Sequence, residues 1–341
     1  MTLPSGTIAL SEVNTELGIS PATTTINMGA TAVRTLAEQP SGAIAMSDLQ
    51  GKTNAAFVSA QGGSVATQGN FKVHTFNSSG TFTVTDAGDS NGSNTVEYLV
   101  VGGGGSGSNF YGGGGGAGGF RQNFPSPATG GTSVSTQGYP ITVGDGASGS
   151  PSNPYHGGNT GSSSSAFGVS SAGGGGGGAI ANPSQGTSGE SGGSGGGGSN
   201  TGTGGSGNSP PVSPPQGNSG GFGRRQPNQG SGGGGGGASQ NGENGRPNFG
   251  QPGAPGGNGT ATSIPGSSTT FAGGGGGGYF TNASQGGGSN GGTGGGGGQG
   301  QAGTANTGGG SGGRGGFGYQ TGTSQPGGSG VVVVRYRFQA D

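Results

Sequence analysis

The chain has 341 residues, of which 100 are glycine, against a usual glycine share of about 7%. Apolar residues make up 24% and charged residues 6%, so the composition fits neither an ordinary globular domain nor a highly charged disordered chain. With ten basic and eleven acidic side chains, the sequence lacks the excess of positive charge typical of proteins that bind a nucleic-acid phosphate backbone, so we expect no nucleic-acid binding. Cysteine is absent, which excludes disulfides and thiolate metal sites.

The sequence carries no membrane signal. No apolar run reaches the roughly 20 residues that span a bilayer, and residues 1–10 lack the basic and then apolar layout of a secretory signal. We therefore expect no membrane insertion and no signal peptide, with synthesis in a cytoplasm.

Glycine content divides the chain into four segments. Residues 1–101 hold 11 of the glycines and residues 331–341 hold none, so 89 lie in residues 102–330. We predict an N-terminal module at 1–55, frame strands at 56–101, a glycine-rich bundle at 102–330 and a closing strand at 331–341.

The N-terminal module contains an internal repeat. The sequence PSGTIALSEV beginning at Pro4 recurs as PSGAIAMSDL beginning at Pro40. A serine followed by an acid is typical of a helix N-cap, so Ser11 and Ser47 are predicted to cap helices in a small α/β module. Its predicted core consists of the apolar residues Ile8, Leu10, Val13, Leu17, Ile26, Met28, Val33, Leu36, Ile44, Met46 and Leu49.

From residue 70 the apolar period changes to two. Residues 71–76 and 81–85 flank an Asn-Ser-Ser-Gly turn and predict a β-hairpin, with His74 on the sheet surface, and residues 95–101 predict a third strand. Residues 331–338 form a fourth apolar strand. Alone it would be an exposed edge, so we expect it to pair with the strands before residue 102 and to close a β-sandwich frame.

Hexaglycine runs at 173–178, 232–237 and 273–278 dominate the glycine-rich segment. Collagen is excluded because the strict Gly-X-Y repeat is absent. Two interpretations remain: a flexible linker, or an ordered bundle of polyglycine-II helices, which have the polyproline-II geometry and whose bare backbones can hydrogen-bond to each other. Fourteen aromatic residues between 102 and 330 favour order. The predicted fold class is therefore mixed, with little regular α or β structure in the bundle.

Arg224 and Arg225 form the densest charge in the glycine-rich segment, with Phe222, Arg246 and Phe249 nearby. Aromatic faces stack on sugars, and arginine forks bind carboxylates or phosphates. This cluster is therefore a candidate binding loop. The alternative is that the arginines only keep a nearly neutral bundle soluble.

Two further pairs are candidate contacts. Tyr155 and His156 follow a proline and precede a glycine, which predicts an exposed turn, although a solvated loop would look the same. Tyr279 and Phe280 follow the third hexaglycine run directly.

The sequence argues against catalysis and cofactors. The acids between residues 102 and 330 are Asp145, Glu190 and Glu243, too scattered to assert a glycosidase pair or a calcium loop. The pattern Gly-x-Gly-x-x-Gly at 102–107 follows a strand, as in dinucleotide sites, but the glycine-rich sequence after it cannot form the helix that such a site needs. We predict a protein that is not an enzyme and needs no cofactor or metal.

Three motifs resemble the glycine-rich domain of bacteriophage tail proteins: FNSSGTFTV at 76–84, YLVVGGGG at 98–105 and GSGVVVVRY at 328–336. The repeat in residues 4–49 is similar to N-terminal modules of phage tail and fibre proteins. The resemblance implies a virion structural protein that contacts other tail or fibre proteins through residues 1–55. In the tip adhesins of long tail fibres that it resembles, distal loops of a polyglycine-II sandwich touch the host receptor, here a surface glycan or an outer-membrane protein.

The resemblance gives the first functional hypothesis, a tail or tail-fibre adhesin located in the virion. The second is a head fibre or capsid decoration protein whose bundle is a rigid spacer. A third, an ice-binding or matrix protein, does not explain the N-terminal repeat. Fibres are commonly trimeric, so a homotrimer is also expected by resemblance, although no heptad pattern specifies one.

Overall fold

The fold is mixed, mostly strand and coil with few helices, in agreement with the predicted fold class. The computed structural model describes residues 3–5, 7–22, 24–39, 41–52, 54–125, 131–151, 155–182, 185–226, 229–246, 253–279, 289–315 and 323–340. Within these residues the chain forms two α-helices, one 3₁₀ helix and seventeen short strands.

The N-terminal module consists of α1 (Leu10–Glu16), α2 (Thr31–Leu36) and a 3₁₀ helix (Met46–Leu49). Its described residues form no strand, so the prediction of an α/β module is wrong. Its buried core is formed by Leu3, Val13, Val33, Leu36, Ala37 and Leu49. The sequence predicted most of this core but was wrong on Leu10, which is 52% exposed. Leu10 is the first residue of α1, where one face of the helix points to solvent.

The predicted serine caps are also wrong. Ser11 lies inside α1 and Ser47 inside the 3₁₀ helix, and the N-cap residues are Ala9 and Ala45, which make no side-chain cap hydrogen bond. Instead, the acidic side chain that follows each serine accepts the backbone N–H of the N-cap residue. The Glu12 carboxylate accepts the N–H of Ala9 at 2.6 Å, and the carboxylate of Asp48 accepts that of Ala45 at 2.8 Å. The repeat therefore encodes two acidic N-terminal turns.

Strands in the first half of the chain build two sheets. They are β1 (Val58–Gln61), β2 (Ser64–Gln68), β3 (Phe71–Phe76), β4 (Gly80–Ala87), β5 (Thr95–Val101), β6 (Phe120–Gln122), β7 (Thr132–Ser133) and β8 (Gly138–Ile141). Residues 120–141 lie within the segment that we assigned to the glycine-rich bundle, but their strands pair with β4 and β5.

The later strands are shorter, except for the last. They are β9 (Ser164–Ala166), β10 (Val169–Ser171), β11 (Ile180–Asn182), β12 (Gln185–Gly186), β13 (Arg224–Gln226), β14 (Gln229–Ser231), β15 (Thr260–Thr262), β16 (Thr269–Phe271) and β17 (Val331–Arg337). Strands β9 to β16 form four two-stranded hairpins.

The larger sheet has the strand order β2-β3-β17-β5-β6, and β7 pairs with β5 as well. The smaller sheet has the strand order β1-β4-β8. Strand β17 lies antiparallel between β3 and β5, with Val332 opposite both Phe76 and Val100. The last strand therefore pairs with the early strands, as expected from its four consecutive valines.

The predicted hairpin of residues 71–85 is wrong, although both strands exist. β3 pairs with β2 and β17, whereas β4 pairs with β1 and β8. The turn between them crosses from one sheet to the other. A strand-turn-strand pattern looks the same in both cases, so the sequence could not decide between them.

Both faces of the larger sheet are buried. One face packs against the smaller sheet in a cluster that includes Phe76, Phe82, Val84 and Val332. The other face packs Val73, Leu99, Val101, Val331 and Val333 against residues of the glycine-rich part, including Ala117, Ile264 and Phe271. A strand covered on both faces needs apolar residues in succession, which explains the valines of β17.

His74 is fully buried between the sheets, so the prediction of a surface position is wrong. Its Nδ1 lies 2.6 Å from the carbonyl oxygen of Gly62 and must donate, which leaves Nε2 to accept the Tyr336 hydroxyl at 3.2 Å. The hydroxyl in turn accepts the N–H of Ala60 at 3.1 Å. Burial lowers the pKa of the imidazole, with the positive charge of Lys72 adding to the effect and the Gly62 hydrogen bond opposing it.

Between residues 102 and 330, glycine-rich stretches (the glycine segments) run side by side and bond through their backbones. The stretch 112–119 lies at their centre. Counting from Gly112, every third N–H group (residues 112, 115 and 118) donates to a carbonyl in 308–314. The N–H groups of residues 113, 116 and 119 donate to carbonyls in 172–178, and those of residues 114 and 117 donate to carbonyls in 232–237. These bonds are 2.8 to 3.2 Å long. Successive N–H groups therefore point in three directions.

The carbonyl groups of the same central stretch point in three further directions. They accept N–H groups from 102–108, from 194–197 and from 275–278. Six neighbouring stretches therefore surround 112–119. The hexaglycine run 273–278 has the same period, since its N–H groups donate in turn to 294–297, 254–257 and 112–115.

Glycine is required in these stretches because the backbones touch. A Cβ built on Gly113 would overlap the carbonyl oxygen of Gly197, and one built on Gly275 would overlap that of Ser311. Buried serines complete the hydrogen bonding. The Ser311 hydroxyl donates to Gln325 at 2.6 Å and accepts the N–H of Gly107 at 2.8 Å.

Candidate binding surface

The glycine segments have two ends. At the sheet end, the N–H of Gly102 bonds to the carbonyl of Gly119, and the N–H of Gly119 bonds to that of Ala172. At the far end, the N–H of Gly112 bonds to Arg314, and the carbonyl of Gly112 accepts the N–H of Gly278. The stretch 102–108, which directly follows β5, runs from the sheet end to the far end.

Hairpin β13–β14 lies at the far end, directly before the hexaglycine run at 232–237. Arg224 and Arg225 are both exposed on it. Phe222, just before the hairpin, is 51% exposed, and its carbonyl accepts the N–H of Gly245 at 2.7 Å. The predicted cluster of Phe222, Arg224 and Arg225 is therefore part of the far-end surface.

Arg246 belongs to the same surface. Its carbonyl accepts the Ser231 hydroxyl at 3.0 Å, which ties its loop to β14. Its guanidinium contacts the Glu243 carboxylate at 2.7 Å. Phe249, predicted to lie beside Arg246, is outside the described residues, as is Phe280.

Tyr155 and His156 lie in a far-end loop. Both are exposed, Tyr155 by 52%. The loop is tied to its neighbours because Pro151 accepts a hydrogen bond from the Asn109 side chain at 2.6 Å, and the carbonyl of His156 accepts the Ser150 hydroxyl at 3.3 Å. The structure therefore brings this pair to the same end as the arginine hairpin.

Tyr279 is at the far end but is only 4% exposed. Its backbone forms an isolated β-bridge with Ser231. Its ring is packed against the protein, so it offers little contact surface in the described structure.

Sequence reasoning missed Phe110 and Tyr111. They form the far-end turn between the stretches 102–108 and 112–119, both with left-handed backbones at φ 56° and 52°. This conformation is rare for aromatic residues and clusters at functional positions. Their rings meet edge to face at 5.2 Å. The available signal was an aromatic pair in a turn between two glycine runs.

Tyr111 also connects this turn to the arginine hairpin. A Cβ on Gly230 would meet the Tyr111 ring at 3.3 Å, and Gly230 is the cross-strand partner of Arg225. Directly opposed residues project to the same face of a hairpin, so Arg225 and the Tyr111 ring share a face. Burial raises the pKa of Tyr111 to about 12, and the charge of Arg225 acts in the opposite direction.

The described residues contain no group of three or more His, Asp or Glu that could hold a metal ion. Among the helices that the structure describes, none has the length and hydropathy to cross a membrane.

The profile of the glycine-rich domain family matches residues 75–337. The match runs from the end of β3 to the end of β17, two strands that are neighbours in the larger sheet, and includes the glycine segments between them. The chain therefore belongs to the glycine-rich domain family. Among curated protein sequences, none matches the chain significantly.

Proposed function

We propose that this protein is a structural protein of a phage tail or tail fibre that presents its far-end loops to a receptor on the host surface. The observation that carries the proposal is the convergence of the exposed aromatic and basic residues on one end of the glycine segments. Exposed Tyr155 and His156 are distant in sequence from exposed Phe222, Arg224 and Arg225, but all five lie at that end, away from the sheets. Half-buried Arg246 lies there too.

In this proposal the glycine segments are a bundle of polyglycine-II helices. A helix with three residues per turn aims successive N–H groups at three neighbours, and the period-three bonding of 112–119 and 273–278 supports this geometry. None of the glycines in the three hexaglycine runs has a left-handed φ. Such a bundle holds loops firmly because its peptide groups are satisfied by neighbouring chains.

The two facing sheets serve as a β-sandwich frame. The bundle starts at Gly102, directly after β5, and returns to Val331, which pairs with the end of β5. Both ends of the bundle are therefore anchored on adjacent strands. Residues 1–55 are then free to contact other virion proteins, and Leu10 supplies an exposed apolar residue for that contact.

Binding of labelled full-length protein to a panel of bacterial strains tests the proposal. We expect saturable binding to a subset of strains, and at least tenfold weaker binding by the variant Tyr155→Ala/Phe222→Ala. The matched control is Val65→Ala, which removes a side chain that is 54% exposed on the sheet. A head fibre or decoration spacer would bind no strain, or would bind equally with both variants, and either result overturns the proposal.

Incorporation into particles tests the role of the N-terminal module. Leu10→Glu changes an exposed position and leaves the module core intact. We expect fewer copies per particle for this variant than for Val65→Ala. Equal incorporation contradicts a contact through this helix.

A further inference from the structure

Charge is distributed unevenly along the glycine segments. Between residues 102 and 330 the sequence has five arginines, no lysine and three acids. Four of these arginines lie at the far end, Arg224, Arg225, Arg246 and Arg314, together with one acid, Glu243. A nearly neutral bundle therefore ends in a positively charged surface.

The other charges lie elsewhere. Asp145 is at the sheet end, where its carbonyl accepts the N–H of Ser162. Glu190 lies along the side of the bundle and accepts the Thr160 hydroxyl. The fifth arginine, Arg121, is on β6. No charge of the glycine segments other than Glu243 therefore offsets the far-end arginines at close range.

The four arginines differ in the interactions that their guanidinium groups already make. Arg246 is paired with Glu243 at 2.7 Å, and Arg314 donates to the carbonyl of Thr323 at 2.7 Å. Arg224 and Arg225 are exposed and form no ion pair with a described residue. Adjacent strand residues project to opposite faces, so the hairpin offers one guanidinium on each face.

Aromatic surface accompanies these guanidinium groups. Arg225 shares a face of the hairpin with the Tyr111 ring, and exposed Phe222 lies two residues before Arg224. A guanidinium fork matches the geometry of a carboxylate or phosphate. An aromatic ring packs against the apolar face of a sugar. The combination fits a saccharide that carries acidic groups.

We propose that the far-end surface binds an anionic polysaccharide, with Arg224 and Arg225 contacting its carboxylate or phosphate groups. This inference rests on the proposed function and specifies the chemistry of the receptor. The same surface suits a nucleic acid poorly, because tight binding to a phosphate backbone uses many more cations than these.

Direct binding of the full-length protein to immobilised polymers tests this inference. The probes are polygalacturonic acid as a carboxylate polymer, yeast phosphomannan as a phosphate polymer and dextran as a neutral control. We expect binding to at least one acidic polymer that is tenfold or more tighter than binding to dextran. Because exposed charges are screened within about 10 Å at 0.1 M salt, added salt should weaken it.

Single-charge variants locate the contact. Arg225→Gln and Arg224→Gln should each weaken binding to the acidic polymer about tenfold, in line with the loss of a charge-assisted hydrogen bond. Arg121→Gln removes the same charge from β6 and should leave binding unchanged. Equal losses in all three variants would indicate general charge attraction and overturn the assignment.

The inference can fail while the proposed function survives. If the wild-type protein binds cells but neither acidic polymer, or if protease treatment of the cells abolishes binding, the receptor is not an anionic polysaccharide. Binding to dextran as tight as to both acidic polymers also overturns the inference. If the protein binds neither cells nor polymers, the proposed function itself fails.

Discussion

The larger sheet and the glycine segments are both densely packed, but different atoms do the packing. On the two faces of the sheet, apolar side chains such as Val332 and Leu99 fill the space between layers, together with Phe82 of the smaller sheet. In the glycine segments, peptide groups fill it, and a side chain at Gly113 would collide with a neighbouring carbonyl. Burial of apolar area stabilises the first region, and hydrogen bonds between bare backbones stabilise the second.

This difference shows why a low apolar fraction did not mean disorder here. A glycine-rich chain normally stays unfolded because glycine loses much backbone entropy on ordering. Each hydrogen bond contributes only about 1 kcal/mol net. The bonds therefore offset the entropy only when almost every N–H finds a partner, as in the central stretch 112–119.

Removing a large side chain from between the sheets should have the largest effect. Phe82 is fully buried, with its ring 5.2 Å from the ring of His74. Phe82→Ala should lower the free energy of unfolding by about 3–5 kcal/mol, because it leaves a cavity. Chemical denaturation measures the change, and Val65→Ala on the exposed edge strand β2 is the control, with little effect expected.

Adding one methyl group to the glycine segments should destabilise them. Gly113→Ala places a Cβ on the carbonyl of Gly197, and we expect a loss of about 1–3 kcal/mol from overpacking. At Gly80 in β4 the added Cβ would meet only the Phe76 ring at 3.7 Å. Similar, small losses for Gly113→Ala and Gly80→Ala would show that the two regions do not differ in packing.

Acidification should destabilise the sheets through His74. Burial holds the pKa of His74 below its ordinary value of 6.5, so the unfolded chain binds a proton more readily than the folded one. Stability should be constant above about pH 6.5, fall as the pH drops through 6.5, and level off below the folded pKa. Denaturation midpoints between pH 5 and 7.5 measure this window.

A single substitution tests whether His74 causes that pH dependence. His74→Asn cannot titrate and should abolish the slope, even if its stability is lower at every pH. The contacts of the glycine segments are peptide groups, which do not ionise, so they should not add a slope in this range. An unchanged slope in His74→Asn contradicts the assignment.

Some of this structure could be read from the sequence. Four adjacent valines cannot be exposed, which predicted the pairing of β17 with earlier strands. The position of His74 could not be predicted, because alternation identifies a surface face only when one face is exposed, and here both are covered. Arg224 and Arg225 were found from charge density alone.

Other parts of the site depend on how the segments are stacked. The location of Tyr155, Phe222 and Arg246 at one end follows from the direction and length of each stretch, which the glycine pattern does not encode. Phe110 and Tyr111 were counted among the aromatics, but their left-handed turn is a product of the packing around it. Likewise, the strand-turn-strand pattern of residues 71–85 does not distinguish a hairpin from a crossing between two sheets.

Amide hydrogen exchange across residues 102–330 of the protein tests whether the glycine segments are ordered by backbone hydrogen bonds. Consecutive amides in 112–119, 232–237 and 273–278 should all be protected, because every N–H in these stretches has a backbone acceptor. Amides in the exposed loops that connect these stretches should exchange much faster. Uniformly fast exchange across the glycine segments would show that they are a flexible tether and not an ordered, hydrogen-bonded region.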